Sequence, residues 1–163
     1  MILDTKLIFS WDQVVTASHA SAADTTTTPP AAGIVDLGLA ARNIGAGVDK
    51  LYLVVQCTAA MTDGGSDSTV TPSLRTSATE TSSALTGSPA TIITGTAFAA
   101  LSPAGTRQVY VLPPSDSYLQ YLDVYFTVAN GSLTTGKFSA FITTNVDMQH
   151  SYASGFDPNY FVK

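Results

Sequence analysis

Residues 118–128 alternate: Leu122, Val124, Phe126 and Val128 fall on one side, and Tyr121, Asp123, Tyr125 and Thr127 fall on the other. A period of two belongs to strands, not helices. A side that is apolar at every second residue has to be buried against another layer. The same signature recurs at 50–57, where Leu51, Leu53, Val55 and Cys57 share a face, at 107–112 with Val109 and Val111 on one side, and at 137–146 with Phe138, Ala140 and Ile142 aligned. Weaker strands are expected at 34–37, 68–76 and 90–97, with Leu7, Ile8 and Phe9 adding another. Pro72 predicts that its strand lies at an edge or carries a bulge, because proline cannot donate to a ladder.

Turn chemistry separates these segments. Asp63-Gly64-Gly65, Gly87-Ser88-Pro89, Pro103-Ala104-Gly105, Pro113-Pro114 and Asn130-Gly131 all favour chain reversal. Amphipathic helical spacing is hard to find. The expectation is an all-β fold: an antiparallel jelly-roll-like β-sandwich forming one domain over 1–163, with extended N- and C-terminal arms. At 163 residues with 45% hydrophobic content, the chain can bury a real core, hiding roughly 70% of its unfolded surface. Two stretches break the alternation. One is a loop insertion at about 18–32 that contains Thr25-Thr26-Thr27-Thr28-Pro29-Pro30. The other is a C-terminal arm at about 147–163 that holds Tyr152, Phe156, Tyr160 and Phe161.

Composition narrows the function. Only 12% of residues are charged, with one glutamate (Glu80), one cysteine (Cys57) and two histidines (His19, His150). General acid–base work needs titratable groups held in tuned environments, and the candidates here are few and scattered. The formal net charge is −5 and the seven basic residues do not cluster, which argues against binding to nucleic acid. No apolar run approaches the roughly 20 residues of a membrane span. The N-terminus lacks the pattern of a signal peptide, so a soluble protein made in a cytoplasm is expected. A single cysteine forms no intrachain disulfide, and Cys57 in an apolar run reads as a small buried hydrophobe.

Several motifs imitate chemistry. Residues 131–138 nearly match a phosphate-binding loop, but Phe138 stands where a hydroxyl should hold magnesium, and a strand follows instead of a helix. A hairpin loop is the better reading. Asp63 and Asp67 flank a turn that has too few oxygen ligands at set positions for calcium. His19 and His150 have no partner at zinc spacing, and no Gly-x-Ser-x-Gly elbow is present. No catalytic residue, cofactor or metal is therefore expected. Trp11, Tyr121 and Tyr125 can stack on sugars, fill an interface or serve as ordinary core or sheet-face residues.

The opening Met1-Ile2-Leu3-Asp4-Thr5-Lys6-Leu7-Ile8-Phe9-Ser10 resembles the start of capsid cement proteins of tailed bacteriophages, of the Bordetella-phage type. The segments Ile34-Val35-Asp36-Leu37-Gly38 with Arg42-Asn43-Ile44-Gly45, then Leu51-Tyr52-Leu53-Val54-Val55-Gln56, then residues 121–128 leading to 136–143, are similar to that family in order and spacing. The long Thr/Pro loop departs from it. The resemblance implies a jelly-roll protein on the outer surface of an icosahedral head. It would bind across neighbouring major capsid protein subunits, as a homodimer or homotrimer with the dimer favoured. It implies no catalytic residues. Ile2, Leu3, Trp11, Tyr152, Phe156 and Tyr160 are the candidate interface anchors. The alternative is a receptor- or carbohydrate-binding β-sandwich of a phage tail or fibre, which would set exposed Trp or Tyr beside Asp and Asn in one concave site. A hydrolase on a sandwich scaffold would need a His near a Ser or carboxylate.

Overall fold

The computed structural model describes residues 5–21, 33–38, 50–81, 84–114, 118–144 and 146. A short 3-10 turn, Thr5–Leu7, leads into β1 (Ile8–Val14), β2 (His19–Ala20), β3 (Val35–Asp36), β4 (Tyr52–Thr62), β5 (Thr69–Ser77), β6 (Thr79–Thr81), β7 (Ala84–Thr86), β8 (Ala90–Thr94), β9 (Arg107–Val111), β10 (Tyr121–Ala129) and β11 (Thr135–Thr143). The chain is all-β and antiparallel. One sheet runs β1-β11-β4-β9, and the second runs β2-β10-β5-β8 with β3 also on β10. The hairpin β6–β7 stands apart from both sheets.

The two sheets share one core. Leu53, Val55, Phe138, Ala140 and Ile142 from the first meet Val70, Leu74, Leu122, Val124 and Phe126 from the second. All are buried, and for β4, β10 and β11 these are the inward sides that the alternation assigned. Phe138 touches both Phe98, with ring centroids 5.1 Å apart, and Phe126, at 5.5 Å. Offset and edge contacts of this kind add to the gain from burial. Cys57 is fully buried, and its thiol donates to the Ala59 carbonyl at 3.0 Å. Burial pushes its pKa up.

Connectivity follows from pairing. β1 pairs with β11, β2 and β3 with β10, β4 with β9, and β5 with β8. If β2 and β3 count as one position, these are the rungs of one long antiparallel ribbon. Pairing of β11 with β4 and of β10 with β5 then rolls that ribbon into two layers.

Four expectations change. Residues 130–134 do not close a hairpin, since β10 and β11 lie in different sheets. Buried Leu133 and the bonds Leu133 N–Thr16 O (3.1 Å) and Thr134 N–Thr62 O (2.7 Å) carry this segment across to the first sheet. β4 continues past Cys57 to Thr62, because two register shifts against β11 interrupt its alternation. The stretch expected as an insertion at 18–32 begins with a strand, since His19 and Ala20 pair with β10. Residues 22–32 lie outside the described residues. The ends of that segment meet: Ser21 Oγ donates to Gly33 O at 2.5 Å. Finally, the strand of Pro72 is flanked by β10 and β8, so of the two settings expected for it the edge is excluded, while its pairing with β8 does carry a register shift, between Leu74 and Arg75. Pro72 faces the side where the β8 ladder has ended, and its carbonyl accepts from Gly95 N at 2.8 Å. Its missing donor therefore falls beyond the ladder, where it costs little.

Candidate interface on the outer face of the first sheet

In a two-layer sandwich the outer faces are expected to be polar. The first sheet departs from this. Its outer face carries a second apolar cluster of buried Ile8, Val54 and Phe141, with Trp11 and Val146 packed against it. Register explains the grouping: Ile8 stands opposite Phe141, Phe141 opposite Val54, and Val54 opposite Val109. One apolar row thus crosses all four strands. The neighbouring row holds Thr143, Tyr52 and Val111. At the β9 end the row opens to solvent, where Val109 is 38% and Val111 50% exposed.

Trp11 reaches this face through local irregularity. Residues three apart in a regular strand point to opposite faces. β1 has a register shift between Ile8 and Ser10, which changes the parity, so Ile8 and Trp11 share a side. A second shift follows at Asp12, whose φ is 50°. Aspartate tolerates this left-handed conformation better than most residues. The Asp12 amide is secured by the Ser139 hydroxyl at 3.0 Å. Bulges that re-aim a side chain are a recurrent feature of functional edges.

A protein-family model described as Bbp16 matches residues 9–142. The chain belongs to the Bbp16 family. The match runs from β1 to β11, so it takes in the whole sandwich. The family name points to a Bordetella phage protein and states no role. No curated protein matches the chain.

Of the anchors expected in this Bbp16-family chain, Trp11 lies on the described sandwich. Ile2, Leu3, Tyr152, Phe156 and Tyr160 lie outside the described residues, as does His150. Sequence reasoning missed Ile8, Val54 and Phe141. Their signal was present: Leu53-Val54-Val55 and Ala140-Phe141-Ile142 are unbroken apolar runs, the mark of strands covered on both faces.

The other chemically suggestive residues have internal partners. Asp123 is buried and bound by Arg75, with Nε to Oδ1 at 2.9 Å and Nη2 to Oδ2 at 2.5 Å. The Arg75 guanidinium lies 4.1 Å above the Tyr125 ring. Burial raises the Asp123 pKa, against the opposing hydrogen bond and charge of Arg75. Tyr121 takes a hydrogen bond from Gln120 at 3.0 Å. The Asp63 carboxylate caps its own turn, accepting from the amides of Ser66, Asp67 and Ser68. Bonds from Ser68, then those from Ser66 and Asp67, hold its pKa below the usual carboxylate range. The His19 ring sits edge-on to Phe126 at 6.2 Å, with Nε2 3.1 Å from Val14 O and Nδ1 2.8 Å from Ala20 O. Lys137 lies exposed in β11, following the Gly131 turn, and Phe138 beside it is in the core. Among the described residues no group of three or more His, Cys, Asp or Glu is placed to hold a metal.

Proposed function

We propose that this protein is a structural virion protein of the cement type. It binds the outside of an icosahedral phage head and ties neighbouring major capsid subunits together. The observation that carries the reading is the apolar row across the outer face of the first sheet, on a member of the Bbp16 family. A sandwich acting alone gains nothing by opening Val109 and Val111 to water, and exposed apolar surface of this kind marks interaction sites. The strand order supports a jelly roll, because eight positions of an antiparallel ribbon are rolled into two four-position sheets.

The mechanism is thermodynamic. A protein that binds assembled shells and not free subunits stabilises the shell by mass action. Many bridging copies add avidity. Trp11 is the described aromatic anchor, and the expected terminal anchors Ile2, Leu3, Tyr152, Phe156 and Tyr160 extend the contact. Partners are the major capsid protein and further copies of this chain, and the working location is the outer surface of the capsid.

The test mixes purified protein with heads that lack it and separates bound from free protein by sedimentation. Saturable binding that raises the heat resistance of the heads is expected. Trp11→Ser should fold, with unchanged circular dichroism, and bind several-fold more weakly. Absence of binding to heads, together with saturable binding to tails, host cells or glycans, would replace this reading with the receptor-binding one.

A further inference from the structure

An asparagine followed by glycine has chemistry of its own. The glycine nitrogen can attack the preceding carboxamide, because no Cβ crowds or stiffens the backbone there. The chain has four asparagines, Asn43, Asn130, Asn145 and Asn159, and Asn130 alone precedes a glycine. Asp63-Gly64 is the matching aspartate pair and is open in principle to the same attack. The fold treats the two pairs differently. Asp63 is locked: its carboxylate accepts from the amides of Ser66, Asp67 and Ser68, and these bonds keep it ionised. An ionised carboxylate repels a nucleophile, and a fixed one does not turn onto Gly64.

Asn130 is loose by comparison. It is exposed just past the end of β10, with a φ of 63°, a left-handed conformation that asparagine tolerates. Among the described residues its carboxamide makes one long bond, Nδ2 to Asp67 O at 3.4 Å. Gly131 is exposed as well, at a φ of 122°, and its N–H has no acceptor among the described residues. Little therefore holds the carboxamide away from the nitrogen that would attack it. The peptide between them also has a polar neighbour. The hydroxyl of buried Ser68 donates to the Asn130 carbonyl, at 3.5 Å. A donor at that oxygen favours the anion formed when Gly131 N gives up its proton.

We propose that Asn130 is a site of spontaneous covalent modification in the folded protein. A solvent base takes the Gly131 amide proton. The nitrogen then attacks Asn130 Cγ and forms a C–N bond, while the carboxamide nitrogen takes a proton from solvent and leaves as ammonia. The product is a cyclic imide. Water adds to either imide carbonyl and breaks its bond to Gly131 N. Opening at Cγ leaves aspartate. Opening at the main-chain carbonyl leaves isoaspartate, whose backbone runs through Cβ and Cγ. The consequences fall on the joint between the sheets, because residues 130–134 carry the chain from β10 to β11 and buried Leu133 anchors them. Either product places a negative charge where Asn130 donated to Asp67 O, beside the Asp63 turn, on a chain of net charge −5. Isoaspartate also lengthens the backbone by a methylene between Leu133 and the last ladder pair, Ala129–Thr69. Modification thus loosens this crossover in one direction and without an enzyme. The inference is independent of capsid binding.

The experiment incubates the full chain in mildly alkaline buffer and follows it by ion exchange, peptide mass mapping and enzymatic methylation of isoaspartate. An acidic species should accumulate, with ammonia released in step, and both aspartate and isoaspartate should map to position 130. The rate should rise with pH, since Gly131 N must lose a proton. It should exceed the rates at Asn43, Asn145 and Asn159 by about tenfold or more, the equivalent of about 1.4 kcal/mol of barrier. Asp63 should stay unmodified, and the converted fraction should melt below the unconverted one. Asn130→Gly accepts the left-handed φ and removes the carboxamide, so it should fold and lose the acidic species. If that variant fails to fold, the rates mapped in the wild type still decide the matter. Conversion at Asn130 no faster than at the other asparagines overturns the proposal, as does conversion confined to chain unfolded in urea. Isoaspartate arising at Asp63 and not at Asn130, or an acidic species that persists in Asn130→Gly, also overturns it.

Discussion

Replacing Arg75 with alanine isolates what a buried carboxylate costs this fold. Asp123 lies on the second sheet with its side chain fully buried, and both its oxygens are held by an Arg75 whose side chain is 19% exposed. Removing one member of such a pair strands the other, at a typical cost of about 3–5 kcal/mol. The partial exposure of Arg75 and the loss of its stacking on Tyr125 pull in opposite directions, so about 3 kcal/mol is expected at neutral pH. For a chain of this size that is a fall in Tm of roughly 6–12 °C. Asp123→Asn should cost less, since the arginine left behind still reaches water. The pH dependence gives the sharper check. Burial raises the folded-state pKa of Asp123 above the ordinary carboxylate range, and without Arg75 it rises further. A raised carboxylate pKa favours the folded state at low pH. The gain is fully present below the unfolded value and is lost as pH rises through the folded one. The stability gap between wild type and Arg75→Ala should therefore shrink as pH is lowered from 7 through that raised value. Paired urea titrations at several pH values measure the gap directly. A gap below about 1 kcal/mol at neutral pH, or one that stays constant down to acid, would refute the reasoning.

Phe126→Ala removes a fully buried ring packed on Phe138 and His19, and should cost about 3–5 kcal/mol in urea unfolding with little change in m. Asp63→Asn tests the opposite sign of linkage. The depressed carboxylate stabilises the fold above its unfolded pKa, and that support is lost as pH falls through the folded one. The difference in Tm between wild type and Asp63→Asn should accordingly be largest near neutral pH and vanish in strong acid.

How much of this was legible in the sequence depends on what each residue faces. The inward sides of β4, β10 and β11 could be read because a core imposes one requirement on every second residue, and Leu53, Val55, Val124, Phe126, Phe138 and Ile142 all meet it. Asp123 was legible as outward-facing but not as buried. Its ion pair joins residues 48 positions apart, and pairing across strands leaves no local trace. β2 was hard to read for a different reason, since a two-residue strand is too short to show a period, whereas β3 falls inside the strand expected at 34–37. The same limit hid the change of sheet at 130–134. Asn130-Gly131 announces a reversal, and only the burial of Leu133 decides which sheet the chain returns to.

The outer face of the first sheet shows where a rule of thumb concealed information. Alternation arguments assume that one face of an antiparallel strand is wet. Under that assumption Val54 and Phe141 count as noise between Leu53 and Val55 and between Ala140 and Ile142. Read without it, two adjacent central strands each carry three consecutive apolar residues, and register sets Val54 beside Phe141. A strand that is apolar on both sides needs cover on both sides. Within the sandwich the cover includes Trp11, brought over by the β1 irregularity, and Val146. Towards β9 that cover gives out, and Val109 and Val111 stand exposed at the edge of the first sheet. Exposed apolar side chains and a sheet edge therefore coincide at β9 among the described residues. A protein that acts by contact would concentrate its features in this way, and selection for the stability of a lone sandwich offers no reason for it.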